Sequence, residues 1–197
     1  RLVMGVQLEN NGYTDDDGRI FVLAALDRLG QVPGVRAVST CNRLPFLGSN
    51  TWTFTAPGTD FAENGMLTRF NLVGPDFFEA MDIAIVSGRA FTPDDAPGTP
   101  MVAIVNEVFA QQMWPDRDPL GMTLEFVDQS VRVVGVAETA VYNTVTEAPQ
   151  AHAYFPSLQL YQGRQNFVIL TEASPTALIG PVDQALREMD PNLAIAP

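Results

Sequence analysis

The residues best suited to nucleophilic catalysis are His152 and Cys41, the one histidine and the one cysteine in a chain of 197 residues. A histidine with an ordinary pKa can act as a general base near neutral pH and activate a cysteine or serine. No G-x-S-x-G motif accompanies His152, which counts against a hydrolase. A hydrolase using His152 with Cys41 or a serine is kept as an alternative, because residues far apart in the sequence can meet in the fold. We expect His152 to be a half-buried residue at the edge of a strand and Cys41 to be a small core residue.

An acidic run at residues 15–17 precedes Gly18, and its composition is similar to that of a calcium-binding loop. The EF-hand pattern aligned on Gly18 places Tyr13 at the first ligand position and Ala24 at the last, where a bidentate glutamate is needed. Carboxylates in the first turn of a helix instead interact favourably with the helix dipole. The run therefore predicts the start of a helix.

Two further pairs of carboxylates, Asp94 with Asp95 and Asp116 with Asp118, could serve acid–base catalysis or bind a metal ion. Each pair lies beside proline or glycine, and aspartates in turns commonly accept hydrogen bonds from the nearby backbone. The single histidine also excludes sites that need several histidine ligands. We therefore predict turns at both pairs, and no catalytic residue, metal ion or cofactor in this chain.

The candidates for contact with a partner are mainly aromatic. Trp52 and Phe54 lie two residues apart, so both side chains point to one side if residues 50–55 form a strand. The apolar, loop-like segment before them contains Phe46 and Leu47. Aromatic side chains are favoured anchors in protein interfaces, so these four residues are the candidates for contact with a partner. The alternative, that they fill a small local core, stays open.

The charge of the chain excludes several classes of function. The 11 basic and 23 acidic residues give a net charge of −12, and every basic residue is an arginine. The absence of lysine excludes a P-loop lysine, a Schiff-base lysine and a lysine-rich membrane patch. An acidic surface repels phosphate backbones, so we expect no nucleic-acid partner. No apolar run approaches the roughly 18 residues of a membrane span, and the strand-like ends indicate a segment of a longer protein.

The amino-terminal residues predict a strand, a helix and a second strand. Residues 3–8 alternate weakly in polarity and residues 35–40 are strand-like, while Gly30 is typical of a helix end. Apolar residues that recur every three positions predict the buried face of the helix: Ile20, Leu23, Leu26 and Leu29.

The carboxyl-terminal residues repeat this order. Residues 166–171 are strand-like, Ser174 with Pro175 predicts a helix start, and residues 193–195 predict a final strand. Two such units at opposite ends of a chain predict an α+β fold. Its first part is a split βαβ, ferredoxin-like subdomain made from residues 1–44 and 152–197, with both helices on one face and the chain ends close together.

The middle of the chain, residues 45–151, has a different composition. Most of the prolines and glycines lie here, between short predicted strands at residues 67–73, 102–105, 122–127 and 131–136. Two short helices interrupt these strands, one opened by Pro75 and one capped by Asn106. We interpret this part as a mixed α/β subdomain inserted into the first.

Five segments of this middle part follow one another in a characteristic order: FNLVGPDFFEAM at 70–81, IAIVSGRAFT at 83–92, VAIVNE at 102–107, WPDRDPLG at 114–121 and VVGV at 133–136. Together they resemble the extracytoplasmic core domain of MacB/FtsX-type ABC transporter permeases, and most of all the duplicated permeases without a fused ATPase. Asp82 stands where the family usually has glycine. The resemblance implies structural roles for Pro75, Phe77, Phe78, Gly88, Arg89, Phe91, Asn106, Pro115, Pro119, Gly121 and Gly135.

The resemblance implies a porter-like subdomain near the membrane, made from both chain ends, and an inserted subdomain of the kind called Sabre. It places the parent protein in the inner (cytoplasmic) membrane, with this domain on the periplasmic or extracellular side. The implied partners are an ABC ATPase acting through the transmembrane part, a periplasmic adaptor or substrate, and a second permease copy.

The function implied is mechanotransmission, in which cytoplasmic ATP hydrolysis moves this domain and thereby drives export or acts on periplasmic partners. The domain would perform no catalysis of its own. The alternative is a stand-alone extracytoplasmic ligand-binding or sensor domain. A deep apolar pocket with convergent polar groups would favour that alternative.

Overall fold

The computed structural model describes residues 1–44, 50–140, 148–172 and 174–196. Its strands are β1 (Leu2–Gln7), β2 (Val35–Cys41), β3 (Asn50–Phe54), β4 (Met66–Val73), β5 (Ile85–Gly88), β6 (Val102–Asn106), β7 (Thr123–Phe126), β8 (Gln129–Ala137), β9 (His152–Pro156), β10 (Arg164–Thr171) and β11 (Ile195–Ala196). Its helices are α1 (Asp15–Gly30), α2 (Phe77–Met81), α3 (Glu107–Met113) and α4 (Pro175–Met189), with a 3-10 helix at Glu9–Asn11.

The eleven strands of the described chain belong to one mixed sheet, in the order β11-β1-β10-β2-β4-β9-β6-β8-β5, with β3 also paired to β4 and β7 to β8. The pairs β4–β9 and β6–β8 are parallel, and the other pairs are antiparallel. We call β11, β1, β10 and β2 the terminal segment, and the remaining strands the central segment.

The two chain ends lie side by side because β1 is paired on both edges. Gly5 of β1 is opposite Asn166 of β10 on one edge and Ala196 of β11 on the other. The terminal segment thus combines strands from the first and last thirds of the chain, and the predicted closeness of the ends is confirmed.

One face of the terminal segment is covered by α1 and α4. Leu2 and Met4 of β1, Val22 of α1 and Leu186 of α4 share one hydrophobic core, which we call the terminal core. Arg28 and Glu188 also form an ion pair between the two helices, with Nη2 and Oε2 2.7 Å apart. Both helices therefore pack on the same side of the sheet.

The buried face of α1 differs from the predicted one. Ile20 is 67% exposed and Leu23 is 38% exposed, whereas the buried residues of the helix are Gly18, Phe21, Val22, Ala25 and Leu29. A side chain at Gly18 would collide with the hydroxyl group of Tyr161. The absence of a side chain at Gly18 lets this side of the helix approach Tyr161 closely and turns Ile20 and Leu23 outward. The prediction that Ile20 and Leu23 face the core was wrong.

The central segment has an aromatic core on the side of α3. The Phe54 ring is stacked on the rings of Phe126 and Phe155, with centroids 5.4 and 5.8 Å away. Phe109 of α3 contacts Phe54 edge to face, with centroids 5.9 Å apart. These rings bury large apolar areas and stabilise the middle of the sheet.

A further core lies under α2 and joins the two segments. Phe77 and Phe78 of α2 pack with Tyr154 of the central segment, and with Cys41 and Val168 of the terminal segment. The helix therefore covers part of the face opposite α1 and α4.

Two glycines of the central segment sit where backbones approach closely. Gly88 has φ = 75°, and a side chain there would collide with the carbonyl oxygen of Val134. A side chain at Gly135 would collide in the same way with the carbonyl oxygen of Arg89. Both positions therefore exclude larger residues, because the blocking atoms belong to the backbone and cannot rotate away.

In the described part of the chain, no helix combines the length and the apolar character needed to cross a membrane.

Candidate functional site

Cys41 and His152 are separated in the sheet. Cys41 lies opposite Val73 on one side of β4, and His152 lies opposite Arg69 on the other side. Arg69 and Val73 are four positions apart in β4, which is a separation of roughly 13 Å along the strand. Burial raises the pKa of the Cys41 thiol to about 12. Burial, helped by the charge of Arg69, lowers the pKa of His152 to about 3. A thiol and an imidazole so placed do not form a nucleophile–base pair, which removes the hydrolase alternative that rests on these two residues.

His152 occupies a different position from the one predicted. It is 3% exposed and begins β9, which lies between β4 and β6. The expectation of a half-buried residue at a strand edge was wrong, because β9 is paired on both sides and the sequence does not show which strands become neighbours.

The acidic run forms the first turn of α1, as predicted, and Asp118 lies in a turn. Thr14 is the N-cap of α1 and its hydroxyl accepts a hydrogen bond from the backbone N–H of Asp17 at 3.2 Å. Asp118 accepts a hydrogen bond from the N–H of Leu120 at 2.9 Å. Within the described residues, no group of three or more histidine, cysteine, aspartate or glutamate side chains is arranged to hold a metal ion.

Asp95 is a buried carboxylate that forms an ion pair with the half-exposed Arg89. Its two oxygens accept hydrogen bonds of 2.7 and 2.8 Å from the guanidinium group of Arg89, and one also accepts from the N–H of Thr92 at 2.9 Å. Burial opposes ionisation of Asp95, but the hydrogen bonds from Arg89 and Thr92 outweigh it and lower the pKa of the carboxyl group. The pair fixes the turn after Gly88.

The remaining residues of the quoted segments lie in the cores or at element ends. Asn106 caps α3, since its Oδ1 accepts from the N–H of Phe109 at 2.9 Å, and also from the N–H of His152 at 3.0 Å. Phe91 is buried with α2, and Gly121 has φ = 80°. Pro75 lies before α2, Pro115 after α3, and Pro119 accepts a turn hydrogen bond from the N–H of Met122 at 3.1 Å.

The two aromatic candidates for partner contact have different environments. Trp52 is 41% exposed and touches Phe126 edge to face, with ring centroids 5.4 Å apart. Phe54 is completely buried, so its side chain offers no surface to a partner. The expectation of partner contact is therefore retained for Trp52 alone of these two. Phe46 and Leu47 lie outside the described residues.

The terminal and central segments meet at a narrow junction between β2 and β4. The register pair that joins these strands in the described chain is Cys41 with Val73. It is flanked by two backbone hydrogen bonds, from the N–H of Asn42 to Leu72 at 2.9 Å and from the N–H of Gly74 to Thr40 at 2.8 Å. The neighbouring strands of the terminal segment, β10 and β2, are by contrast paired along almost their whole length.

Side-chain amides surround this junction. Asn166 donates hydrogen bonds from Nδ2 to the carbonyl oxygens of Cys41 and Asn42, both at 3.0 Å. Asn71 donates to the carbonyl oxygen of Arg43 at 2.7 Å and accepts from its N–H at 3.0 Å. Asn50 donates to Oδ1 of Asn42 at 2.9 Å. The chain that leaves β2 is thus held by amides from β10, β4 and β3.

Sequence reasoning missed this amide cluster. Asn42, Asn71 and Asn166 are far apart in the chain, and although Asn71 lies in the first quoted segment, nothing in that segment assigns it a partner. The signal that could have found Asn71 and Asn166 is their position in apolar strands, because a polar amide within such a run needs a buried hydrogen-bond partner.

A groove of about 650 Å³ lies on the other face of the terminal segment. Its floor includes Val3 and Gly5 of β1 and Val168 of β10, and Leu44 and Met81 stand beside it. The groove is half open, and its lining is mainly apolar with two arginines. It has the volume of a small-molecule site.

Comparisons with known proteins agree on one family. The family model described as MacB-like periplasmic core domain matches residues 3–189. The macrolide export ATP-binding/permease protein MacB of Shewanella sp. (strain W3-18-1) is 24% identical over 105 residues, which cover 53% of this chain and 16% of that protein. The uncharacterized ABC transporter permease YvrN of Bacillus subtilis (strain 168) is 33% identical over 64 residues, which cover 32% of this chain and 16% of that protein. The chain thus matches a small part of the length of these relatives.

Solved structures share the fold. The periplasmic region of MacB from Actinobacillus actinomycetemcomitans has a TM-score of 0.61 and 15% identity, with 98% of this chain and 87% of that one covered. The extracellular domain of the noncanonic ABC-type transporter YknZ from Gram-positive bacteria has a TM-score of 0.59 and 16% identity, with 88% of each chain covered. The predicted mixture of helices and strands and the resemblance to MacB-type core domains are confirmed.

Proposed function

Because the chain belongs to the family of MacB-like periplasmic core domains, we propose that it transmits conformational change in an ABC transporter permease. ATP hydrolysis in the cytoplasm moves this domain, and the movement drives export or acts on periplasmic partners. The observation that carries the proposal is that the two segments each have their own core, while the strands that join them, β2 and β4, share a single register pair above the smaller core beneath α2. ATP hydrolysis belongs to the ATPase in this scheme, and this chain performs no catalysis.

The two segments correspond to a porter-like and a Sabre-like subdomain. The antiparallel strand order β11-β1-β10-β2, with α1 and α4 on one face, supports a ferredoxin-like porter subdomain from residues 1–44 and 152–197. Residues 45–151 supply the inserted subdomain. Since β9 pairs with β4 and β6, we assign residues 152–156 to the inserted part as well.

Movement between the segments would pass through the junction. A single register pair constrains the relative rotation of two sheet segments far less than a ladder along two whole strands. The amides of Asn42, Asn71 and Asn166 then act as a fastening that keeps the chain in place while the segments rotate. Small shifts at such a point produce larger displacements at the far ends of the segments.

The partners follow from the same scheme. The parent permease lies in the inner membrane with this domain on the periplasmic side, and it works with an ABC ATPase through its transmembrane part. A periplasmic adaptor, the exported substrate or a second permease copy contacts the outer surface. Trp52 supports such a contact, because it is a partly exposed aromatic side chain on the β3–β4 hairpin.

The second candidate function is a stand-alone ligand-binding or sensor domain. The groove over Val3 and Gly5 favours it, because a preformed concave apolar surface with a few polar groups is typical of small-molecule sites.

Labelling with a membrane-impermeant maleimide distinguishes these candidates by location. Gln184 is exposed on α4, so Gln184→Cys in the full-length parent protein gives a reactive thiol. Cys41 stays unlabelled because it is fully buried. Labelling in intact spheroplasts, with the protein retained in the membrane fraction, is expected for a permease. Labelling only after lysis contradicts the proposed location, and release of labelled protein as a soluble species favours the stand-alone domain.

A further inference from the structure

The groove on the terminal segment is left open by the way that helices cover the sheet. Side chains alternate along β1, so Met4 and Val6 point to α1 and α4 while Val3 and Gly5 point to the other face. On that face α2 covers Val168 and the β2 side of the segment. It ends at Met81, and no helix of the described residues covers the strands β1 and β11 beyond it on this face.

Gly5 deepens the middle of the groove. A glycine inside a strand weakens the strand, and it often marks a place where a ligand or another backbone comes close. A Cβ at Gly5 would lie 3.4 Å from Oδ1 of Asn166 and 3.5 Å from the carbonyl oxygen of Ala196, which are ordinary contacts. Gly5 is also not one of the glycines with a positive φ. The fold therefore does not require glycine here, whereas an occupant of the groove would.

The charge of the groove is opposite to that of the chain. Arg1 and Arg164 line it, and none of the described residues that line it is acidic, in a chain with a net charge of −12. Arg164 is opposite Gln7 at one end of β1, and Arg1 precedes the other end. The two arginines are therefore separated by six positions along the direction of β1, or roughly 20 Å.

The two arginines differ in what they already bind. Arg1 donates hydrogen bonds from Nε to Ala80 at 3.0 Å and from Nη2 to Met81 at 2.7 Å, both to carbonyl oxygens. Arg164 is exposed, and no other described residue forms a hydrogen bond or ion pair with its guanidinium group. An unpaired guanidinium group is suited to a bidentate contact with a carboxylate.

We propose that this groove binds a linear amphiphile with a carboxylate head group, one molecule per chain. The apolar chain lies over Val3, Gly5 and Ala196, and the carboxylate pairs with Arg164. An apolar floor along β1, with the unpaired guanidinium group of Arg164 near its end, matches this class of ligand in polarity and charge.

Isothermal titration calorimetry of the 197-residue chain with dodecanoate, below its micelle concentration, tests the proposal. We expect saturable binding of one dodecanoate per chain. Arg164→Gln should weaken it about tenfold, because a hydrogen-bonded charge pair is lost. Gly5→Val fills the groove and should abolish binding. Arg132→Gln, an exposed arginine of β8 far from the groove, is the matched control and should bind like the parent chain.

Comparison ligands and unfolding curves keep the test decisive. Uncharged monododecanoylglycerol should bind about tenfold more weakly than dodecanoate, and acetate should not bind measurably. Absence of saturable dodecanoate binding overturns the proposal, as does unchanged binding by Arg164→Gln or by a Gly5→Val variant that unfolds cooperatively. If Gly5→Val does not fold, Arg164→Gln alone decides. Because the chain is titrated by itself, the result is independent of the coupling role proposed above.

Discussion

Cys41 and Val73 lie opposite each other as a non-hydrogen-bonded pair of antiparallel strands, because the flanking bonds run from Asn42 to Leu72 and from Gly74 to Thr40. This pair joins the terminal segment of the sheet to the central one. Both side chains are fully buried in the core beneath α2, so the joint between the segments is apolar inside and fastened by amides outside.

A disulfide across this pair tests the geometry of the junction. Opposite residues of a non-hydrogen-bonded pair have Cα atoms about 4.5 Å apart, which is within the range of disulfides. Val73→Cys, refolded under oxidising conditions, should form a disulfide with Cys41 and gain about 2–3 kcal/mol of stability over its reduced form. Thiol counting in denaturant and urea unfolding measure both effects. Val73→Cys combined with Cys41→Ser is the control, and two free thiols after oxidation would argue against the pairing.

Asn166→Ala should destabilise the junction. The substitution leaves the buried carbonyl groups of Cys41 and Asn42 without the side-chain donor at 3.0 Å, and we expect the free energy of unfolding to fall by about 2 kcal/mol. Urea denaturation measures the change. Asn10→Ala, at an exposed position, should alter stability by no more than about 0.5 kcal/mol. Equal effects of the two substitutions would refute a fastening role for Asn166.

Phe54→Ser and Trp52→Ser should differ in their effect on thermal unfolding. Phe54 is stacked between other rings in the core, and its loss should cost about 4 kcal/mol. Trp52 is partly exposed with one edge-to-face ring contact, and its loss should cost about 1 kcal/mol. A folded Trp52→Ser variant can then be used to test partner contact. A large loss of stability from Trp52→Ser would instead assign that residue to the core.

His152 should make stability depend on pH between about 6.5 and 3. Burial holds the folded-state pKa near 3, below the usual value of 6.5, so the unfolded chain takes up a proton first as the pH falls. The stabilisation is complete above pH 6.5 and declines below it, with a slope that approaches about 1.4 kcal/mol per pH unit.

The slope between pH 6.5 and 5.5 is the informative quantity, because His152 is the one histidine of the chain. His152→Gln should flatten it in urea unfolding, whatever the substitution does to stability at pH 7.5. An unchanged slope would mean that His152 is accessible to protons in the folded state.

The local elements could be predicted from the sequence, but their partners could not. Apolar alternation and turn residues placed the strands near 67–73 and 102–105 within a residue or two of β4 and β6. The three-residue spacing in α1 suggested the wrong face, because the close approach of Gly18 to Tyr161 depends on a residue 143 positions away in the chain. The order of helices and strands at both ends was predictable, since propensity and capping are local properties.

The junction and the groove depend on contacts between distant parts of the chain. The amides of Asn42, Asn71 and Asn166 meet only after β2, β4 and β10 have paired, and the groove is bordered by Met81, at the end of α2, and by residues from both ends of the chain. The family resemblance predicted the fold class, but it gave no indication of either feature. Strand alternation places Trp52 and Phe54 on the same face of β3. It does not indicate which part of that face is covered by other side chains, so it could not show that Phe54 is buried while Trp52 is partly exposed.

The distance between the two segments in the parent permease tests the central claim most directly. Nitroxide labels at Gln184→Cys on α4 and Gln111→Cys on α3 report this distance by pulsed electron paramagnetic resonance, and buried Cys41 is not labelled. A control pair at Gln184→Cys and Gln31→Cys lies within the terminal segment. We predict that a non-hydrolysable ATP analogue shifts the first distance and leaves the control unchanged. The same distance between the labels at positions 184 and 111 with and without the ATP analogue would contradict the account.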